Sequence, residues 1–394
     1  MEKVKYLIIG NGIAGLSAAK EIRNNDNQGS ITMISSEAYH TYYRVRLTEY
    51  LSKDFREEEL LVNKDSWYEE KNIKVLLNKI VEKIDIDNSK IRLDDGVEIG
   101  YEKLLLATGS RPFIPPIAGK FKQGVLALRT LRDLRYIRNY FDKCKNITVI
   151  GGGLLGLEAA WSLKKLGKNI SIVEFAPYLL PRQLDEELSN KLKEKLEEEG
   201  FKIYLSSAAE EILGKDRANG ILLNNGKKLK TDGILFSVGI RPNVDLIRDT
   251  KIEFNKGIIV DKNLRTNIEN IYAAGDVVEI DGSVIGLWTS ANEQGKVAGA
   301  NMSGKLLEYT EAKLFTSLLL GDIKLFSVGE IREFDRFFEY KDESKDIHHK
   351  LFTTRGKLTG GILFGDTRDM GKLKRSVTEK IDINSYLEDN IQFK

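Results

Sequence analysis

A strand, a glycine-rich turn and a helix follow one another twice in this chain, and no other feature limits its fold as strongly. In the first copy the apolar run from Val4 to Ile9 leads into Gly10, Gly12 and Gly15 at GxGxxG spacing. A second strand-like run from Ile31 to Ser36 ends at Glu37. Each part has a physical reason in a dinucleotide site. The first glycine permits the sharp turn, the second lets a pyrophosphate approach the backbone, and the third lets helix and strand pack closely. The helix N-terminus then offers aligned N–H donors, and the acid accepts hydrogen bonds from an adenosine ribose. A glycine-rich turn in an ordinary α/β domain needs only the triplet; here strand, helix, second strand and acid are all in order.

The pattern returns in the strand from Asn146 to Ile150, in Gly151, Gly153 and Gly156, and in the strand from Ile170 to Val173, which ends at Glu174. Phe175, Ala176 and Pro177 follow, so no basic side chain immediately awaits a 2′-phosphate and Glu174 would repel one. NADH is therefore expected over NADPH, with Arg182 further along as the one complication. Two dinucleotide sites in one chain suggest chemistry between two dinucleotides, usually a retained flavin and a nicotinamide that comes and goes. Two more strand-like segments end in small residues, Leu104 to Gly109 and Ile271 to Asp276. They fit a first domain interrupted by the second. The expected organisation is α/β: two Rossmann-like domains plus a small α+β C-terminal domain. The expected bounds are 1–112 with 243–308 for FAD, 113–242 for NAD, and 309–394 for a C-terminal interface domain.

Composition removes other classes. The chain has 394 residues, enough for two or three domains. Lys plus Arg total 61 and Asp plus Glu 59, so no whole-chain attraction to nucleic acid is expected. The one cysteine, Cys144, excludes an internal disulfide, a CxxC redox pair and a cysteine-held zinc or iron–sulfur site. Three histidines, His40, His348 and His349, argue against a histidine-built metal centre. Apolar runs fall short of the roughly 18 residues that span a bilayer, and the N-terminus enters a strand without room for a signal peptide. A cytoplasmic protein with no membrane partner is expected.

At Gly10/Gly12/Gly15, Ala107-Thr108-Gly109, Gly151/Gly153/Gly156 and Ala274-Gly275-Asp276 the chain resembles the FAD/NAD-dependent pyridine nucleotide oxidoreductases over essentially its whole length. Three finer segments resemble two branches of that family: Tyr43 to Leu47, Leu180 to Asp185, and Trp288 to Gly295. The branches are the NADH:rubredoxin oxidoreductases and the N-terminal module of the assimilatory nitrite reductase large subunit. Ile323 to Glu330 and Gly360 to Asp366 favour the first, as does the chain's end at residue 394, before any iron–sulfur or sirohaem domain. The resemblance implies FAD at the first fingerprint. There Gly10, Gly12, Ala14, Gly15, Val81, Ala107, Thr108, Gly109 and Gly275 would lie beside the cofactor, and Glu37 would meet its adenosine ribose. Arg44 would approach the pyrophosphate, Asp276 the ribityl chain, Arg129 the flavin ring, and Trp288 and Thr289 the pyrimidine end. It implies NADH at Gly151, Gly153, Leu154, Leu155, Gly156, Glu158, Glu174 and Gly239. Many relatives pair a lysine near flavin N5 with a glutamate at the position of Glu158. Here the lysine position reads as Glu49, so no catalytic residue is assigned to the pair.

Disulfide reductases of this architecture carry a CxxC beside the flavin, and NADH peroxidases and water-forming oxidases carry one cysteine shortly after the first ribose acid. Between Glu37 and Phe55 there is none, and Cys144 reads as a bystander. Electrons from the reduced flavin must then leave the chain, and a one-electron iron protein such as rubredoxin is the expected acceptor. The alternatives are a peroxide-forming NADH oxidase, a ferredoxin reductase component, and a non-catalytic NADH-sensing flavoprotein. Arg129, Arg132, Arg135 and Arg138, followed by Lys143 and Lys145, form a basic run suited to an acidic partner. Asp185 to Glu199 reads as an amphipathic helix, Thr354 to Lys357 as a hairpin turn, and His348-His349 as an exposed strand pair. From about Leu314 the chain turns strand-rich and ends in a charged tail. No metal is expected, and the protein is expected as a monomer or homodimer.

Overall fold

The computed structural model describes residues 1–311 and 315–388. The start of the strand-rich segment at Leu314 and the end of the charged tail lie outside the described residues. The chain forms two compact units. The first takes in Met1–Arg46, Asp54–Pro112 and the described residues from Gly239 to 311. The second takes in Leu47–Lys53, Phe113–Val238 and residues 315–388, so the C-terminal segment groups with the second fingerprint.

In the first unit the strand Glu2–Ile9 is buried over its last four residues, as expected for an interior parallel strand. Ile31–Ile34 and Glu98–Leu106 flank it in parallel, and Ile271–Ala273 adds beyond the latter. Ile73–Leu76 closes the other side, while Lys90–Leu93 and Val81–Asp85 continue the sheet antiparallel. Register positions the site. Ile9 stands opposite Ile34 and Leu106, and Leu106 opposite Ala273. Four strands therefore end level, and the residues that follow them, Gly10, Ser35 to Glu37, Ala107 to Gly109 and Ala274 to Asp276, share one edge. Ligands of open α/β sheets bind at that carboxyl edge.

The second unit repeats the logic. Lys202–Tyr204, Asn169–Val173, Asn146–Ile150, Gly233–Phe236 and Val125–Ala127 form a parallel sheet in that order. Ile150 is level with Val173 and Phe236, which brings Gly151, Glu174 and Ser237 to one edge. The helix Glu186–Glu198 begins at Asp185, whose side chain accepts from the Leu188 N–H at 3.0 Å, and it buries Leu188, Leu192 and Leu196. Phe315–Leu320, Ile323–Gly329, Lys357–Phe364, Ile347–Thr354 and Arg336–Asp342 form a five-stranded antiparallel sheet. Leu373, Val377, Ile383, Tyr386 and Leu387, from two short helices, cover it. The hairpin turn has Arg355 at φ 52° and Gly356 at φ 71°, two left-handed residues that match strand twist.

One expectation fails here. His348 and His349 are not exposed: they are 4% and 7% accessible. Ile347–Thr354 is an inner strand whose consecutive residues from His348 to Thr353 are all buried, so both faces of the sheet are covered there. His348 Nε2 lies 2.8 Å from Glu339 Oε1, and His349 Nε2 lies 2.8 Å from the Asp366 carbonyl. The next residue, Lys350, has a side chain only 5% exposed. Its ammonium sits 2.6 Å from Asp185, 2.5 Å from Glu187 and 3.4 Å from Glu339. These bonds tie the C-terminal sheet to the start of the Glu186–Glu198 helix.

Candidate dinucleotide sites

In the first unit, Gly10 adopts φ +117°, and a Cβ there would overlap the Ala107 carbonyl oxygen. A Cβ on Gly15 would overlap the Gly10 carbonyl, whereas Gly12 faces open space. The helix Ile13–Asn25 starts at Gly12 without a side-chain cap. Its first N–H groups thus point past a glycine with nothing over it, a cradle that suits an anion and that a side chain would fill. The same helix packs closely on Trp288–Met302, where Cβ atoms on Gly295 and Gly299 would meet the backbone of Ala14 and Ala18.

The structure brings Glu37 and Arg44 together. Arg44 Nη2 donates to Glu37 Oε1 at 2.7 Å, and the Tyr42 hydroxyl donates to Glu37 Oε2 at 2.7 Å. The guanidinium also lies 4.7 Å from the centre of the Tyr42 ring. Burial opposes the Arg44 charge, and Tyr42, Glu37 and Asp276 more than offset it. Asp276 Oδ2 accepts from the Ser110 hydroxyl at 2.9 Å, and the Gly275 N–H donates to the buried Gln294 side chain at 2.8 Å. Thr108 Oγ1 donates to the Asn243 carbonyl at 3.0 Å, and Asn243 Nδ2 returns a bond to the Thr108 carbonyl at 2.8 Å. Ser110, Asn243 and Gln294 thus hold the Ala107 to Gly109 and Gly275-Asp276 turns, although none was singled out from sequence. Val81 has its side chain in the hydrophobic core, so only its backbone can face a ligand. Trp288 is half-buried with its ring centre 5.8 Å from that of Tyr43, and Thr289 is exposed.

In the second unit a Cβ on Gly151, at φ +113°, would overlap the Ser237 carbonyl, and one on Gly156 would overlap the Gly151 carbonyl. Gly153 is open, and the helix Leu154–Lys165 begins there without a side-chain cap. Glu174 is held by both oxygens: Oε2 accepts from the Gly152 N–H at 2.5 Å and Oε1 from the Ala176 N–H at 2.7 Å. Leu154 is half-buried, and Leu155 is 55% exposed on the first helical turn. Glu158 accepts from the Thr48 hydroxyl at 2.9 Å. Burial pushes its carboxyl pKa up, with Glu49 adding to the effect and the Thr48 bond opposing it. Glu49 itself pairs with Lys53 at 2.5 Å. Gly239, at φ +97°, falls in the first unit, and Arg129 falls in the second.

The helix Leu131–Asp142 opens with a capping box, Thr130 and Asp133, and buries Leu131, Leu134, Ile137 and Phe141. Arg132 and Arg135 lie on its exposed face. Arg138 instead donates to the carbonyls of Tyr50 and Lys53, so that part of the basic run anchors the Leu47–Lys53 segment. Cys144 is buried, with its thiol 3.4 Å from the Tyr140 and Asp232 carbonyls. Burial pushes the thiol pKa up, so it is held as the unreactive protonated form. No described helix is long and apolar enough to cross a membrane.

Two parallel sheets, each ending in an uncapped glycine turn with an acid at the neighbouring strand end, define a two-dinucleotide α/β protein. Residues 4–295 match the family model for pyridine nucleotide-disulphide oxidoreductases, and residues 315–381 match that for the rubredoxin NAD+ reductase C-terminal domain. The chain belongs to the pyridine nucleotide-disulphide oxidoreductase family, whose members work with FAD and NADH. It is 36% identical over 388 residues to a nitrite reductase [NAD(P)H] of Bacillus subtilis (strain 168), covering 98% of this chain and 48% of that protein. It is 35% identical over 384 residues to an NADH-rubredoxin oxidoreductase of Clostridium acetobutylicum, covering 96% of this chain and 95% of that one. The crystal structure of NADH:rubredoxin oxidoreductase from Clostridium acetobutylicum superposes with a TM-score of 0.82 at 32% identity, covering 98% and 100% of the two chains. The chain spans about half the length of the Bacillus subtilis nitrite reductase and nitrate reductase electron transfer subunit that it matches.

Proposed function

We propose that this protein is an FAD-dependent NADH oxidoreductase that passes single electrons to a small iron protein of the rubredoxin type. The observation that carries the reading is two intact dinucleotide cradles with no sulfur acceptor beside either turn. The one cysteine is buried between Tyr140 and Asp232 as an inert thiol. The match of residues 315–381 to a rubredoxin NAD+ reductase C-terminal domain supports the same acceptor.

When bound, FAD takes a hydride from NADH and returns its two electrons one at a time. The chain's own residues bind and orient. The N–H groups past Gly12 and Gly153 meet the two pyrophosphates, and the absence of a Cβ at each allows the close approach. Arg44, with its charge stabilised by Glu37 and Asp276, faces the FAD phosphates, while Glu37 keeps acceptor capacity for a ribose. Asp276 is aimed by Ser110, and the Ala107 to Gly109 turn is held by Asn243. Glu174, fixed by two backbone N–H groups, takes the NADH adenosine ribose and disfavours a 2′-phosphate. Half-buried Glu158, bonded to the Thr48 hydroxyl, is assigned no proton transfer. Exposed Arg132 and Arg135 suit an acidic partner, for which electrostatic steering raises the association rate.

The Cys144→Ala variant tests the reading. NADH-driven reduction of rubredoxin should continue at the wild-type rate, because the thiol carries no electrons. A variant that folds with full flavin content yet loses turnover would overturn it.

A further inference from the structure

Phe175 follows the ribose acid of the second fingerprint, and its side chain is 78% exposed. That exposure is not the looseness of a surface loop. The Glu174 N–H donates to the Tyr204 carbonyl at 2.8 Å, and the Ser207 N–H donates to the Glu174 carbonyl at 2.9 Å. The Ser206 N–H donates to the Ala176 carbonyl at 3.0 Å, and Glu174 Oε1 accepts from the Ala176 N–H at 2.7 Å. A large aromatic ring is thus presented to water from a turn pinned on both sides. Glu174 fixes where a ribose would sit, next to the Gly152 N–H. A base joined to that ribose must lie within one residue's reach of it. The first fingerprint offers no such ring, since Glu37 is followed by Ala38.

We infer that Phe175 is the adenine platform of the second site: its ring stacks on the base of NADH and supplies affinity for the adenosine half of the cosubstrate. This rests on the reading of the second fingerprint as the NADH site. Ring-on-base stacking is sequence-tolerant and costs about 1–3 kcal/mol when the ring is truncated to alanine. The hydride-bearing nicotinamide lies at the other end of the dinucleotide, so the platform raises affinity without touching the chemical step.

The test uses the FAD-loaded enzyme and two kinds of probe. Calorimetric titration with ADP-ribose, which carries the adenine, should show binding roughly thirtyfold weaker for Phe175→Ala, the middle of the stacking range. Phe175→Trp should bind as wild type does. Phe121→Ala, which removes a ring 92% exposed elsewhere in the same unit, should change nothing. With ferricyanide as acceptor, Phe175→Ala should raise the KM for NADH about as much at unchanged kcat, as expected for lost uniform binding. The KM for reduced nicotinamide mononucleotide, which has no adenine, should not move. Unchanged ADP-ribose affinity in Phe175→Ala, or an equal rise in KM for both nicotinamides, overturns the platform and leaves the NADH site standing. Wild-type enzyme that binds no ADP-ribose overturns the site reading itself.

Discussion

Gly10→Ala is expected to be recovered almost free of FAD, whereas Gly12→Ala folds normally and loses only affinity. The difference lies in what a methyl group meets. At Gly10 the backbone is left-handed, at φ +117°, and the new Cβ would overlap the Ala107 carbonyl. Relief requires moving either the turn proposed to receive the pyrophosphate or the strand end that leads to Thr108 and Gly109. Overpacking costs about 1–3 kcal/mol and the left-handed strain about another 1–2. Each 1.4 kcal/mol is about tenfold in affinity, so FAD retention should fall by a hundredfold or more. At Gly12 the protein itself has room, so the methyl obstructs only what approaches the helix N-terminus. The ratio of flavin absorbance to protein absorbance, read beside thermal unfolding, separates the two. Full FAD occupancy in both variants would contradict the assignment of the first cradle.

The largest loss of stability is expected from Lys350→Met. The Lys350 ammonium is buried against Asp185, Glu187 and Glu339, and a neutral side chain leaves three carboxylates to repel one another. Removing one partner of a buried ion pair costs about 3–5 kcal/mol. Asp185, Glu187 and Glu339 are partly open to solvent, which places this case near the lower figure. Lys350→Met with Glu187→Gln should recover part of the loss. The same cluster sets an acid response. Hydrogen bonds from Lys341 and then Lys350 hold the Glu187 carboxyl down to about 2, against an ordinary 4.5. A carboxyl lowered on folding stabilises the native state above its unfolded value. That contribution is lost as pH falls from about 4.5 towards 2. Wild-type stability should therefore decline across that window, and Lys350→Met should decline less. Coincident unfolding curves for the two proteins at pH 7 would show that the cluster contributes no stability.

What could be read from the sequence follows from where chemistry leaves no choice of residue. A turn at φ above +100° with a carbonyl against its Cα admits glycine alone, so the tight turns at Gly10 and Gly151 could be placed from the sequence. The strand ends before Gly109 and Asp276 were legible for a related reason: short apolar runs that stop at small residues fit buried parallel strands, and these two end level. Ser110, Asn243, Gln294 and Thr48 were not legible. They are ordinary polar residues whose partners lie from 19 residues away, for Gln294 and Gly275, to 166, for Ser110 and Asp276, and only the fold brings them together. His348 and His349 were read as exposed because two adjacent polar residues on one strand point to opposite faces, and nothing in the sequence marks both faces as covered. The strand's inner position depends on pairing with Lys357–Phe364 and Arg336–Asp342. Lys350 was invisible for the same reason, one of 61 basic residues until the C-terminal sheet meets Asp185 and Glu187.

Where the resemblance implies a lysine paired with Glu158, this chain has Glu49. Glu49 turns to Lys53, and Glu158 is met by the Thr48 hydroxyl instead of an ammonium. A hydroxyl satisfies a buried carboxyl in either protonation state, which a lysine cannot do without its own burial cost.

Electrons are expected to leave this protein for an external one-electron carrier without passing through protein sulfur. Stopped-flow reoxidation tests it most directly: FAD-loaded enzyme is reduced with NADH without air, then mixed either with oxidised rubredoxin or with oxygenated buffer. Rapid return of the flavin absorbance is expected with rubredoxin, matched by bleaching of the rubredoxin iron, and slow return with oxygen. Rapid reoxidation by oxygen with none by rubredoxin would contradict it.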